Sequence, residues 1–514
     1  MRGVATATAL QVATIGIMLV ERVVLSGLLI RAWGLAAYED WTLLINTAGM
    51  LSVLEFGLSL TFSNAFTERW QKGDWAAFQR FAAVARTIAL ALLVAGILVL
   101  VGLLVAEDAF RIVGSKQLVG AEGLIILALL GIAILLQNLM MAMITIYRSQ
   151  NRLSRGYAAN LSLFTVRLLA VTAVVLLGSG PIAAACAYLA TTAAYTLIGL
   201  PLDLMRNLKA IELRLAVPTR GELADLAHIA PWFAAQNAAI ALLNVVPVLV
   251  IAHISAVQGG IASFVILRTL TNMARQIINA LSNSIAIEFA QQRAASSQTV
   301  ELSVRITRAT RMLTVLNAAV ITALYFVAEP FVVLWSGGVL QMDRAVALML
   351  GSGYLVSGSF LVVSLYLNYI GEPRIGAFAR FAQAGVTLLV GGLAVAPMGV
   401  LGVALGLSAG EAVGAGLVYI RDGLRHCRVD AFHFALSFAA DTLAGVLPIA
   451  LVGWLLSVLH FGGVLADFTV RAAVLGAAVA IAVAVLGLAR DNRRTVLRML
   501  RGARGRKSGG GAAA

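Results

Sequence analysis

The chain has 514 residues, 61% of them hydrophobic and only 12% charged, with a mean hydropathy of +0.93. A soluble globular chain runs at roughly 45–50% apolar and about 25% charged, so a water-soluble domain is excluded and an all-α polytopic membrane protein is expected. The net charge of +14 does not point to nucleic acid, because the basic residues punctuate the apolar runs as membrane topology signals do.

Apolar segments of membrane-crossing length are predicted in chain order at 4–33, 38–66, 81–106, 118–147, 156–178, 181–205, 229–254, 260–288, 306–335, 345–370, 375–396, 399–420, 434–459 and 466–489. That makes about fourteen transmembrane helices. The first run extends to about Trp33, longer than the 7–15 residues of a signal-peptide h-region, and is read as a retained helix. The connections are short, the longest polar ones lying near 206–228 and 289–304. An even span count puts both termini on one side. Loops on that side, with Arg374 and Arg380 counted among them, carry roughly six times as many Lys and Arg as the opposite loops, which places both termini in the cytoplasm.

The expected organisation is a first group of spans over 1–205, a cytoplasmic linker 206–228, a second group over 229–425, two additional spans within 426–489 and a basic tail 490–514. Spans 1–6 and 7–12 flank the linker as a hydropathy-level repeat of the kind transporters show.

The eighth span is unusual. Arg268, Asn272, Arg275, Asn279 and Asn283 recur at helical spacing and share one face. The helical rise puts Arg275 about 22 Å from Gly260. Snorkelling is difficult at that depth, and each arginine at a helix centre costs about 2.5–3.5 kcal/mol on insertion scales. The stripe is therefore either interhelical glue, its arginines paired to Glu55 or Glu21, or the wall of a hydrated cavity. Arginine forks suit phosphate and asparagine suits sugar hydroxyls. Arg22, on one face of the first span with Gln11, Thr14 and Met18, extends the same theme. Glu55 in span two is a candidate counter-ion to a cavity arginine, or a carboxyl that titrates during transport. Pro247 is expected to kink span seven, which also holds Gln236, Asn237 and Asn244. Arg167 is read as structural, and Glu411 and Asp441 as isolated intramembrane acids.

Cys186 and Cys427 form no disulfide framework, and five scattered histidines offer no metal spacing. No nucleophile–base pairing and no glycine-rich phosphate loop appears. No enzyme activity, cofactor or metal is expected.

Four stretches carry a family resemblance: "LLIRAWGLAAYEDWTLLINTAGMLSVLEFGLSLTFSNAF" (28–66), "YRSQNRL" (147–153), "VAEPFVVLWSGG" (327–338) and "YIGEPRIGAFARFAQAGVTLLVGGLAVAPMGVLGVALGLSAGE" (369–411). In order and spacing they resemble the polysaccharide transporters, the O-antigen and exopolysaccharide flippases of the multidrug/oligosaccharidyl-lipid/polysaccharide flippase superfamily. The likeness covers about residues 5–425; many members of that family have twelve spans, so the last pair falls outside it. The resemblance implies two six-helix lobes around a central cavity, plus two C-terminal helices, in a bacterial inner membrane. It implies as cargo an undecaprenyl-pyrophosphate-linked oligosaccharide, moved from the cytoplasmic to the periplasmic leaflet. Arg22, Arg268 and Arg275 would then hold the pyrophosphate while Asn272 and Asn279 contact sugar. A polysaccharide polymerase and a chain-length regulator are the further partners it implies. A drug/cation antiporter of the same superfamily, a lipid II flippase and a membrane enzyme of glycan assembly are the competing readings. The antiporter would show an acidic cavity, and the enzyme a sizeable periplasmic loop.

Overall fold

The computed structural model describes residues 10–487, apart from 11–12, 15, 19, 56–57, 151, 208–213, 255–259, 296–298, 371, 428, 430 and 460. Among the described residues the secondary structure is helical throughout, without strands.

The first lobe passes through a π-helical turn, Glu21–Leu25, and continues through α1 (Ser26–Trp33), α2 (Leu35–Gly49), α3 (Leu58–Gln71), α4 (Trp75–Phe110), α5 (Gly120–Ser149), α6 (Leu153–Leu176), α7 (Pro181–Ala194) and α8 (Leu200–Asn207). The second holds α9 (Arg220–Ile254), α10 (Gly260–Ala295), α11 (Thr299–Ser336), α12 (Arg344–Ser359), α13 (Leu361–Tyr369), α14 (Pro373–Met398) and α15 (Val400–Gly410). The chain runs from α15 into π-helical turns over Glu411–Leu417 and Tyr419–Gly423, and ends in α16 (Ala431–Val458) and α17 (Val464–Ala482).

The helix starts follow from local chemistry. Asp74 caps α4 by accepting from the Ala77 N–H at 2.9 Å, and Asp343 caps α12 by accepting from Ala345 and Val346. Pro181 and Pro373 open α7 and α14, where a missing N–H costs nothing. A reciprocal pair opens α9: the Thr219 N–H donates to Glu222 Oε2 at 2.8 Å, while the Glu222 N–H donates to Thr219 Oγ1 at 3.3 Å. Arg80 on α4 adds a hydrogen bond to the Glu222 carboxylate at 3.0 Å. Led by that guanidinium and joined by both Thr219 donors, these bonds hold the carboxyl down at about 2.

Ten helices, or eleven with the pair α12–α13 bent by 44°, are long and apolar enough to cross a membrane among the described residues. The sequence predicts about fourteen, and the shortfall has physical causes. The first expected span falls partly outside the described residues. The second breaks into a 3₁₀ stretch at Met50–Glu55. The eighth, α10, has 36 residues, and its arginine-and-amide stripe lowers its apolarity rather than its length.

The hydrophobic core explains how the lobes meet. At the end of the bundle that carries residues 34, 111–119, 337–343 and 399, one continuous cluster joins both lobes. It runs from Leu29, Tyr38 and Trp41 through Ile126 and Val171 to Phe264, Trp335 and Val403. At the opposite, arginine-rich end each lobe has its own core: Phe62, Phe66, Phe78 and Tyr147 in the first, and Phe289, Phe360, Tyr366 and Tyr419 in the second. The lobes thus share one apolar core at the weakly charged end and have separate cores at the basic end, where Arg80 of the first lobe still holds Glu222 of the second.

Polar contacts reinforce the seal. Glu39 Oε1 on α2 accepts from the Ala262 N–H at the start of α10 at 3.0 Å, where the helix dipole favours a carboxylate. Arg31 donates to the Leu334 carbonyl at 3.3 Å, and the Tyr38 and Trp335 rings meet edge to face at 6.1 Å. The adjacent Asp40 accepts from the backbone N–H groups of Lys116, Gln117 and Leu118, fixing the loop beside the seal. The helices α16 and α17 pack against α11, and Arg311 on α11 pairs with Asp441 on α16 at 2.7 Å. Asp441, isolated in the sequence, is therefore an ion-paired tie to the terminal helices.

Candidate functional site

A cavity of about 280 Å³ opens at mid-depth, next to the joined core, and its wall comes from the second lobe. The stripe on α10 forms one side, with Arg268, Asn272, Arg275, Gln276 and Asn279 all lining it. Helical periodicity brings them to one face, and the packing of α10 against α11, α12 and α13 turns that face inward. Facing it are Asn244 on α9, Tyr354 on α12, Arg380 and Gln383 on α14, and Ser408 and Glu411 at the end of α15.

The α14–α15 side is positioned by a run of glycines at every fourth residue, Gly402, Gly406, Gly410 and Gly414. A Cβ on Gly406 would lie 2.5 Å from the Gly391 Cα, and one on Gly414 2.5 Å from the Gln383 backbone nitrogen. Only glycine lets the two backbones approach this closely. The result sets Glu411 beside Arg380 and Gln383. Glu411 is also the first residue of a π-helical turn, a local widening that recurs at functional positions.

Arg275 Nη2 forms an ion pair with Glu411 Oε1, and its guanidinium lies over the Tyr354 ring, 4.7 Å from the centroid. Glu411 is buried, whereas a third of the Arg275 side chain is open to the cavity. Among the described residues, Arg275 Nε, Arg380 Nε and Glu411 Oε2 are buried without a hydrogen-bond partner. Arg380 Nη1 donates to Gln383 Oε1 at 2.7 Å. Asn272, Gln276 and Asn279 make no protein hydrogen bond among the described residues, so their amides are available to a ligand.

Arg268 has a different primary engagement. Its Nη2 donates to the Leu243 carbonyl at 2.6 Å and to Asn244 Oδ1 at 3.0 Å, and its Nη1 donates to the Asn244 carbonyl at 3.0 Å. It braces α9 at the turn before Pro247 while contributing its charge to the wall.

The remaining residues singled out in the sequence lie elsewhere. The Arg22 backbone is in the π-helical turn Glu21–Leu25, and its side chain is outside what the structure describes. Glu55 does not meet a cavity arginine among the described residues. Its Oε1 accepts from the Ser59 N–H at 3.1 Å, and it borders a separate small cavity in the first lobe with Asn138. The counter-ion of Arg275 is Glu411, which looks isolated in the sequence. Glu21 pairs with Arg167 at 3.0 Å, and that guanidinium is buried between the Tyr188 and Phe164 rings. Asn283 accepts from the Tyr369 hydroxyl at 2.5 Å.

Sequence reasoning missed Arg380, Gln383, Tyr354 and Ser408. Arg380 counts among the basic loop residues in the sequence, but it lies two turns inside α14. Its pairing with Gln383 at i, i+3 on an otherwise apolar helix is the available signal. The described wall holds three arginines against one glutamate and no other titrating carboxylate, so it attracts anions. Among the described residues no cluster of His, Cys, Asp and Glu could hold a metal ion.

No family model and no curated protein matches the sequence. Solved structures do match in fold. The lipid II flippase MurJ in an inward closed conformation aligns with a TM-score of 0.65 at 11% identity, covering 93% of this chain and 97% of its own. An inward-facing multidrug resistance MATE family transporter of the MOP superfamily aligns at 0.64 and 14% identity, covering 84% of this chain and 98% of its own. A MOP superfamily transporter from Pyrococcus furiosus, described as having a binding pocket of reverse polarity, aligns at 0.61 and 16% identity, covering 85% and 96%. At these identities the likeness is one of fold: the chain has the multi-span helical transporter architecture that the MATE proteins and the lipid II flippase share.

Proposed function

We propose that this protein is a flippase that carries a lipid-linked oligosaccharide with a pyrophosphate head across the bacterial cytoplasmic membrane by alternating access, with the basic end and both termini in the cytoplasm. The observation that carries this reading is the wall of the second-lobe cavity. Three arginines at mid-depth, Arg275 among them ion-paired with Glu411, stand beside amides that make no protein hydrogen bond among the described residues, which suits a phosphorylated head and its sugar. Arg275, with a third of its side chain open to the cavity, offers N–H donors to phosphate oxygens, and Asn272, Gln276 and Asn279 offer donors and acceptors to hydroxyls. Separate lobe cores at the basic end and a joined core at the other are the arrangement that entry of a head from the cytoplasmic leaflet would need.

The lipid II flippase aligns over more of this chain than the drug transporters do, which favours a peptidoglycan precursor as the second reading of the same chemistry. A drug/cation antiporter is disfavoured, since a wall of this sign repels cations. The test is reconstitution in vesicles with a fluorescent undecaprenyl-pyrophosphate-linked oligosaccharide. Protein-dependent loss of the label to a membrane-impermeant quencher on the receiving side is expected. Transport of cationic dyes without movement of the lipid would reject the reading.

A further inference from the structure

The face of α10 that borders the cavity carries two lines of polar side chains. Arg268 and Arg275 stand on the first. Asn272, Gln276, Asn279 and Asn283 follow one another on the second, displaced by about 60° around the helix. Three of these amides line the cavity. The two lines end at different depths. By the helical rise, Asn279 lies about 6 Å and Asn283 about 12 Å beyond Arg275 toward the basic end, and α10 has no further arginine before Arg293. Resting on the proposed function, we propose that Asn283, held by Tyr369, is a distal sugar subsite. It contacts a glycan residue beyond the first, so the protein favours a cargo of several sugars over one of a single sugar.

Packing gives the glycan its direction. Leu243, Leu350 and Leu407 line the cavity and also belong to the core that joins the lobes, so toward that end the cavity meets apolar side chains. A glycan attached to a phosphate at Arg275 therefore extends the other way, along Asn279 and on to Asn283. Asn283 is half-buried, and its Oδ1 accepts from the Tyr369 hydroxyl at the end of α13 at 2.5 Å. Its Nδ2 makes no protein hydrogen bond among the described residues and is not sealed from solvent. The tyrosine bond fixes which way the amide points and presents Nδ2 as a donor to a hydroxyl or acetamido oxygen. A mere tie between α10 and α13 would need only the tyrosine bond. It would give no reason for the amide line to continue in step past the last cavity arginine.

The test compares farnesyl-pyrophosphoryl-N-acetylglucosamine with the same lipid bearing a linear N-acetylglucosamine trisaccharide, each bound to the purified full-length protein. Wild type should bind the trisaccharide probe roughly fivefold more tightly. Asn283→Ala should cut that preference to about twofold or less. A second readout uses Asn283→Cys in a Cys186→Ala background, the other native thiol, Cys427, being buried. The trisaccharide probe should slow reaction of the new thiol with a small maleimide, and the single-sugar probe should not. The wild-type comparison needs no substitution at Asn283, so the inference can fail even if these variants do not fold. If wild type binds neither probe, the proposed function falls and this inference with it. If wild type binds both equally, if Asn283→Ala keeps the preference, or if both probes protect the thiol alike, the distal subsite is overturned while the reading of a lipid-linked sugar stands.

Discussion

Arg268 donates to the Leu243 carbonyl at 2.6 Å, and Leu243 stands four residues before Pro247. Proline has no N–H, so this carbonyl has no helical partner within α9. The guanidinium of the neighbouring helix replaces the missing amide and holds the bent segment that borders the cavity.

The relation is testable by a double-mutant cycle. Arg268→Ala should lower stability by about 1–3 kcal/mol, the cost of leaving a buried acceptor unpaired. In a Pro247→Ala background the same change should cost clearly less, since the substitution restores a backbone N–H four residues beyond Leu243. Thermal melting of the four proteins in detergent measures the coupling; additive effects would show that Arg268 does not serve this carbonyl.

Arg275 and Glu411 should behave as a unit. Arg275→Ala leaves a buried carboxylate without its cation, a change that costs about 3–5 kcal/mol when a pair is fully buried and less here because Arg275 is partly open. Protein level should fall, and the double variant Arg275→Gln with Glu411→Gln should restore it. Transport should remain lost in both. Arg275→Lys should keep abundance and recover only part of the transport, because an ammonium lacks the two-pronged fork. Membrane abundance and lipid translocation, measured side by side, separate the two effects. Full transport by Arg275→Ala would remove the arginine from the mechanism.

The seal between the lobes should depend on Glu39. Glu39→Ala removes an acceptor from the start of α10, worth about 1 kcal/mol at a helix N-terminus. That should shift the balance between sealed and opened forms by roughly fivefold. Spin labels at Val119 and Val339, both exposed and on different lobes, would report a larger population at long distance in pulsed dipolar spectra. An unchanged distribution would place the seal wholly in the apolar core.

The clasp at the start of α9 carries a pH dependence. The Glu222 carboxyl is held down at about 2 by Arg80 and then by the Thr219 donors. A depressed carboxyl contributes stability that is complete above its ordinary value of 4.5 and is lost as pH falls towards 2. Hydrogen exchange of the Glu222 and Leu223 amides should therefore be equally slow, after correction for intrinsic rates, from about pH 7 to about 5, and lose protection below about pH 4.5. Glu222→Gln should flatten that acid-range change.

The class of the molecule was legible in the sequence, because a lipid-facing helix is specified residue by residue. Apolar length sets the spans, and loop arginines mark their ends. The polar face of α10 was equally legible, since the 3.6-residue period is a local property that brings Arg268, Asn272, Arg275 and Asn279 into line before any packing occurs. Partners were not legible. Burial requires that Arg275 meet an acid, but Glu21, Glu39, Glu55 and Glu411 satisfy that requirement equally well on paper. Only the tertiary structure sent Glu21 to Arg167, Glu39 to the Ala262 amide and Glu55 to the Ser59 amide, and brought Glu411 across 136 positions to Arg275. It likewise drew Arg380 from an assumed loop into the wall, because the α14–α15 glycine contacts fix the depth of both helices. Which end of the bundle is sealed was also decided there: among the described residues, side chains from both lobes form one core at that end, and no local signal records an encounter between residues so far apart in the chain.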